Sequence, residues 1–324
     1  MANIAANPKA DQRSAFYPAE FYTMNTTSCY RMASVLAILA TMAIGSPAPA
    51  RAGTFPPLNS PATGETHQGK FVWVDLFSSD TAAASDFYSK LFGWTITDLS
   101  HNGRTYIVFK NGDKPVAGLV ARASSKEKHL SRWIPYVSVS DIQATLGTVK
   151  SAGGIVRAPA RNFPDRGWQA IISDPEGAVL GLLQSSSGDS ADTEPATGDW
   201  NWFELYSKNA AAASSFYTSV IKYQAAPDTR TERKGDFELS SDGRARAGIA
   251  PFSDDQDSKS GWLVVVRVAD ISAAVAEAGV LGGEVDVAPR PAAYGSRFAI
   301  ITDPTGGTIG LVQFIDNADP ANRP

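Results

Sequence analysis

Asp80-Thr-Ala-Ala-Ala-Ser-Asp-Phe-Tyr-Ser-Lys-Leu-Phe-Gly93-Trp94 is the stretch whose reading decides the fold. Asp80 is a helix-capping residue type, and Phe87, Leu91 and the alanines fall on one helical face. Gly93 then closes the helix, because a left-handed carboxyl cap favours a residue without Cβ. Before it lies the apolar strand Trp73-Val-Asp-Leu76. After it come three short strands, Trp94–Asp98, Thr105–Lys110 and Val116–Arg122, with Asn102-Gly103 and Asn111-Gly112 as hairpin signals between them. The unit therefore reads strand, helix, strand, strand, strand.

The same unit recurs. Trp73-Val-Asp-Leu76 returns as Trp202-Phe-Glu-Leu205, and Phe87-Tyr88 returns as Phe216-Tyr217. Trp133 matches Trp262, Asp141 matches Asp270, and Gln184 matches Gln313; Asp174-Pro-x-Gly177 matches Asp303-Pro-x-Gly306. Every pair is offset by 129 residues, and a register held that long marks a duplication. A weaker repeat of 61 residues joins Asp80 to Asp141 and Asn209 to Asp270, so the unit is read four times. The boundaries follow: a leader at 1–52, a linker at 53–69, a first domain at 70–184, a second at 199–315 and a tail at 316–324. Residues 185–198, Ser-, Gly- and Asp-rich, have the composition of a flexible spacer between the domains.

The leader carries Arg31 followed by the apolar run 32–45, too short to span a bilayer but of signal-peptide length. Ala50-Arg51-Ala52 offers the small-x-small cleavage pattern, so a periplasmic or secreted protein cut after Ala52 is expected, with no membrane association once the leader is gone. The 324 residues carry 29 basic and 33 acidic side chains, a net charge of −4 without a basic tract, which argues against nucleic acid as a partner. Cys29 is the single cysteine, which excludes disulfide frameworks and Cys-based metal ribbons. Gly-rich phosphate loops and nucleophile-elbow motifs are missing from the sequence, so nucleotide use and serine hydrolysis are not expected.

Four βαβββ units, the Asp-x₆-Phe-Tyr-x₄-Gly-Trp stretch, Asp-Pro-x-Gly before a last strand and Trp133-Ile-Pro-Tyr136-Val-Ser-Val139 together resemble the vicinal oxygen chelate superfamily. Its members include glyoxalase I, extradiol dioxygenases and the fosfomycin- and bleomycin-resistance proteins. The resemblance implies an α+β fold of two tandem glyoxalase-like domains, each a pair of modules whose curved sheets enclose a cleft. It also implies where a metal should sit: a ligand seven residues before each capping residue, and a Glu in the fourth strand. In this chain those positions hold Trp73, Ile134, Trp202 and Leu263, then Gly118-Leu119, Gly181, Gly248-Ile249 and Gly310. None is a metal donor. His67, His101 and His129 read as solvated loop residues, so no cofactor is expected.

Strand alternation turns Phe71, Trp73, Asp75 and Phe77 toward the first cleft, and Trp202, Glu204 and Tyr206 toward the second. Ile134, Tyr136 and Ser138 join the first set, and Leu263, Val265 and Arg267 the second. Arg166 and Trp168, matched by Tyr294 and Arg297, stand as rim candidates. The ligand-binding candidates are Trp73, Phe77, Tyr136, Trp202, Tyr206 and Arg267, with Asp75 and Glu204 as candidate acid–base groups. Three classes stay open: a metal-free binder of an apolar or aromatic small molecule; a lyase, isomerase or related enzyme using Asp75 and Glu204 or an unfamiliar metal site; and a scaffold with filled clefts. The oligomeric state is not written in the sequence.

Overall fold

The structure is a computed structural model that describes residues 55–122, 131–228, 235–252, 259–292 and 295–314. The leader with its apolar run and Cys29, His129, Tyr294 and the tail lie outside the described residues.

The first module is β1 (Phe71–Ser78), α1 (Thr81–Phe92), β2 (Thr95–Asp98), β3 (Tyr106–Asn111) and β4 (Lys114–Ala121). The second is β5 (Arg132–Ser138), α2 (Ile142–Ser151), β6 (Ile155–Phe163), β7 (Gly167–Ser173) and β8 (Val179–Ser185). The other half repeats the order as β9 (Trp200–Ser207), α3 (Ala210–Ile221), β10 (Gln224–Pro227), β11 (Phe237–Ser241), β12 (Arg244–Pro251), then β13 (Gly261–Arg267), α4 (Ile271–Val280), β14 (Glu284–Pro291), β15 (Ser296–Thr302) and β16 (Thr308–Phe314). The expected α+β architecture of four βαβββ modules is the one observed. Asp80 Oδ1 accepts from the Ala83 amide at 2.9 Å and Asp141 Oδ1 from Gln143 and Ala144, and Asn209 and Asp270 cap the other two helices. Gly93 ends α1 at φ +68°, whereas Lys222 takes the matching left-handed position after α3 at φ +70°.

Each half is one eight-stranded sheet, ordered β2-β3-β4-β1-β5-β8-β7-β6 and β10-β11-β12-β9-β13-β16-β15-β14. The two modules of a half join where β1 meets β5, antiparallel, or β9 meets β13. One face of each sheet carries the helices and packs against the other half. There Val74, Leu76, Phe203 and Leu205 belong to a single apolar core with Phe87, Tyr88, Phe216 and Tyr217. The repeated Phe-Tyr pair locks the halves together. Phe87 lies where a Cβ on Gly283 would come within 2.9 Å, and Phe216 does the same to Gly154 at 2.8 Å, so both glycines are needed for the close approach. Tyr217 donates to Asp174 Oδ2 at 3.2 Å across the interface, and Tyr88 reaches the Gly307 carbonyl at 3.3 Å. The Asp-Pro-x-Gly turns are thus anchors between halves.

Two expectations change. Phe71 does not face the first cleft: a β-bulge between Phe71 and Trp73 flips it, and its ring stacks on Phe203 at 4.0 Å. Residues 185–198 are not a solvated spacer throughout. Asp189 is buried, accepting from the His67 amide at 2.7 Å, and Asp192 binds Arg246 at 2.7 Å and Lys70 at 3.1 Å. The carboxylates in that stretch find cationic and amide partners, which composition alone does not show.

Candidate functional site

The opposite face of each sheet, where the fold is expected to form its cleft, carries a separate apolar cluster. In the first, Trp73, Tyr106, Val108, Ile134, Tyr136, Ile171 and Leu183 are buried together, with Phe77 partly buried beside them. Asp75 stands among them at 3% exposure. The Trp73 indole N–H donates to Asp75 Oδ1 at 2.7 Å, and the Tyr106 hydroxyl donates to the same oxygen at 3.4 Å. Burial pushes the Asp75 carboxyl above its usual value; Arg166 and the hydrogen bonds from Trp73, Tyr136 and Tyr106 oppose that shift.

Glycines make room for this cluster. Gly118 pairs with Asp75 across β4 and β1, and a Cβ there would meet Asp75 Oδ1 at 2.1 Å. Gly181 pairs with Tyr136 across β8 and β5, and a Cβ there would meet the Tyr136 ring at 2.2 Å. The two glycines are therefore the floor on which an aspartate and a tyrosine lie.

Arg166 is not a rim residue; it is fully buried. It sits in the turn between β6 and β7, where the Arg166 amide donates to the Phe163 carbonyl at 3.0 Å. Gly167, at φ +106°, presses that turn onto β8: a Cβ would meet the Gln184 carbonyl oxygen at 2.1 Å. The tight turn aims the side chain inward, and the guanidinium lies 4.0 Å from the centre of the Trp73 ring. Its Nε donates to the Pro56 carbonyl at 2.6 Å, while Nη1 and Nη2 are buried without a hydrogen-bond partner. Trp168, by contrast, is exposed, and Arg297 donates to Ser272 at the start of α4.

The second cleft is the more apolar. Trp202, Tyr206, Leu263, Val265, Phe298, Ile300 and Val312 line it. Trp202 donates to Glu204 Oε2 at 2.8 Å, repeating the Trp73–Asp75 pair. Arg267 lies at its edge, donating to the Pro195 carbonyl at 2.9 Å with its guanidinium 5.2 Å from the Phe314 ring centre. The residue matching Tyr136 is Val265, and the one matching Arg166 is Gly295. The two halves share a Trp–carboxylate pair, but the second lacks the Tyr136 and Arg166 that stand beside it in the first.

A third concavity of about 380 Å³ opens between the halves, lined among others by Lys70, Phe71, Asp192, Trp200, Phe203 and Arg246. Burial alone would raise the Asp192 carboxyl, but Arg246 and Lys70 beside it hold it well below the carboxylate range. Its charges are thus paired with one another.

Among the described residues neither cleft gathers three imidazole, thiolate or carboxylate donors. The converging positions present indole, aliphatic and glycine residues, and in the first cleft a guanidinium already lies over Trp73. Among the described residues no group of three His, Cys, Asp or Glu side chains is placed to hold a metal ion. His67 is half-buried, 3.3 Å from Glu65, and His101 sits in an exposed turn.

The profile of the Glyoxalase/Bleomycin resistance protein/Dioxygenase superfamily matches residues 70–182 and 200–311. The chain is 30% identical over 263 residues to "Putative glyoxylase CFP32" of Mycobacterium tuberculosis, covering 78% of this chain and 98% of that protein. It is 29% identical over 258 residues to the "Anthracycline biosynthesis protein DnrV" of Streptomyces peucetius, covering 76% and 93%. Among solved structures, the Mn(II)-bound glyoxalase from Novosphingobium aromaticivorans superposes with a TM-score of 0.53 at 16% identity, over 76% of this chain and 83% of that one. That last likeness speaks to the fold alone.

Proposed function

The chain belongs to the glyoxalase/bleomycin resistance protein/dioxygenase superfamily, and on that premise we propose that its first cleft binds a small aromatic molecule without a metal ion. One observation carries this reading: the buried Arg166 guanidinium over Trp73, in the part of the fold where the metal-using members gather their donors. A fixed cation in a site of low dielectric opposes a divalent ion there through Coulomb repulsion. Aromatic walls with a few placed polar groups, here Asp75, Tyr106, Tyr136 and Arg166, are the composition of a small-molecule site. The second cleft, with Trp202, Glu204, Tyr206 and Arg267, takes a more apolar molecule or none.

The raised Asp75 carboxyl favours a second reading, in which Asp75 moves a proton on a bound carbonyl compound and Tyr106 and Tyr136 hold the oxygen. The relatives named for a glyoxylase and for anthracycline biosynthesis are compatible with both readings. Export, resting on the apolar run at 32–45 and Ala50-Arg51-Ala52, is proposed with it, and amino-terminal sequencing of the exported protein tests that part.

The test of binding is a thermal-shift screen of small arenes in the presence of EDTA, followed by calorimetric titration. Binding that survives EDTA and is lost in Tyr136→Leu, with folding retained, supports the reading. Binding that requires added divalent metal overturns it.

A further inference from the structure

The cleft of the first domain is already occupied by part of its own chain. Phe55 inserts its ring edge-on between Tyr106, at 4.3 Å, and Phe163, at 4.5 Å. Leu58 packs against the same cluster, and the Pro56 carbonyl takes the Nε hydrogen of Arg166. This strap presents two features at once: an aromatic ring in an aromatic slot, and an oxygen on a buried guanidinium.

The oxygen is a poor match for its partner. A carbonyl carries no charge and satisfies one of the five guanidinium donors, leaving Nη1 and Nη2 buried and unpartnered. Leaving such donors bare inside a protein is costly. Asp75 feels the Arg166 charge, but no hydrogen bond runs from Nη1 or Nη2 to it. A carboxylate matches the guanidinium fork with two parallel charge-assisted hydrogen bonds. In the other half Gly295 stands where Arg166 would recur, so this guanidinium has no counterpart at the matching position.

The strap is also held so that it can leave. Among the described residues, 55–58 make one hydrogen bond to the domain, the one from Arg166. The chain beyond them is pinned separately: Asn59 Nδ2 donates to the Gly188 carbonyl at 2.7 Å, and the Thr63 amide to the Ser187 carbonyl at 2.9 Å. Four residues can peel back without loosening the rest.

Resting on the first cleft being the binding site, we propose that its ligand is an aromatic carboxylate whose ring replaces Phe55, whose carboxylate engages Nη1 and Nη2 of Arg166, and whose entry displaces the strap 55–58. The strap is a resident competitor that keeps the aromatic slot covered when ligand is scarce. Any affinity measured on the intact chain is therefore lowered by the fraction of molecules in which the strap is in place.

The experiment titrates phenylacetate, 3-phenylpropanoate and 4-phenylbutanoate, and the neutral amide of each, into the intact chain and its Phe55→Ala variant by calorimetry. The expected result is that Phe55→Ala binds at least one carboxylate about tenfold or more tightly than the intact chain does. In that variant the carboxylate should also bind about tenfold or more tightly than its amide. Adding Arg166→Gln to Phe55→Ala should abolish the preference for the carboxylate while leaving amide binding in place. The comparison of carboxylate with amide needs no change at Arg166, so it decides the matter even where that variant does not fold. Equal affinity for carboxylates and amides overturns the assignment of ligand class while leaving aromatic binding intact. Equal affinity of intact chain and Phe55→Ala overturns the strap. If neither charged nor neutral arenes bind the Phe55→Ala variant, the failure lies with the binding site itself.

Discussion

Asp174→Asn should change how the stability of the protein depends on pH, by an amount the interface sets. Asp174 lies at the junction of the halves, where burial raises its carboxyl from 3.8 to about 6. Hydrogen bonds from the Ala178 amide, the Tyr217 hydroxyl and the Glu176 amide offset only part of that rise, and the nearby Glu176 charge adds to it. The folded carboxyl is thus harder to ionise than the unfolded one. Its contribution is fully favourable below the unfolded value and is lost as pH climbs through about 6. At 1.36 kcal/mol per pK unit the loss is about 3 kcal/mol. The buried Asp303, raised by the same cause in the mirrored turn, loses stability in the same direction. Asn at 174 keeps an acceptor for the Ala178 and Glu176 amides but has nothing to ionise. Urea unfolding of both proteins at a series of pH values isolates the effect, because the remaining carboxylates cancel in the difference. Between about pH 4 and about pH 7 the Asn variant should gain roughly 2 kcal/mol relative to the parent, most of the full loss. A difference that stays flat over that range would refute the argument that burial at the interface governs Asp174.

Lys222→Gly should stabilise the second half by about 0.5–1 kcal/mol, since Lys222 holds the left-handed position that Gly93 fills in the first half; denaturant midpoints measure it. Gly181→Ala should destabilise by about 1–3 kcal/mol and weaken ligand binding in the first cleft, because the added methyl collides with the Tyr136 ring. Phe87→Ala should cost about 3–5 kcal/mol, read as a lowered unfolding midpoint, because the ring fills the contact with Gly283 between the halves.

The fold was legible because its signals are local and repeated. Asp80, Asn209, Asp141 and Asp270 cap helices where their side chains suggest it, and Gly93 stops α1 with the predicted backbone. The inward set of β1 could be read by alternation only from Trp73 onward, because the bulge before it reverses Phe71 and has no mark in the residue types. Phe87 and Tyr88 look like ordinary core residues of one helix, and their role between halves depends on Gly283 and Gly307, far along the chain.

The candidate site was legible in its strands and hidden in its turns. Trp73, Asp75, Phe77, Tyr136, Trp202, Glu204 and Tyr206 face the clefts as alternation requires. Arg166 was read as a rim residue rather than a buried one, because no periodicity governs where a turn residue points. A signal for it did exist: the repeat breaks there, with Arg166 in one half and Gly295 in the other. Phe55-Pro-Pro-Leu58 carries no motif, and only the three-dimensional path of the chain brings it over Tyr106 and Arg166.

Native mass spectrometry of the protein, prepared without added metal and mixed with an arene that binds in the thermal-shift screen, tests the central claim most directly, since a single mass reports ligand and metal together. The account predicts a complex with the mass of the chain plus ligand alone, which disappears in Tyr136→Leu. A complex that carries the ligand only together with the mass of a bound divalent metal would contradict it.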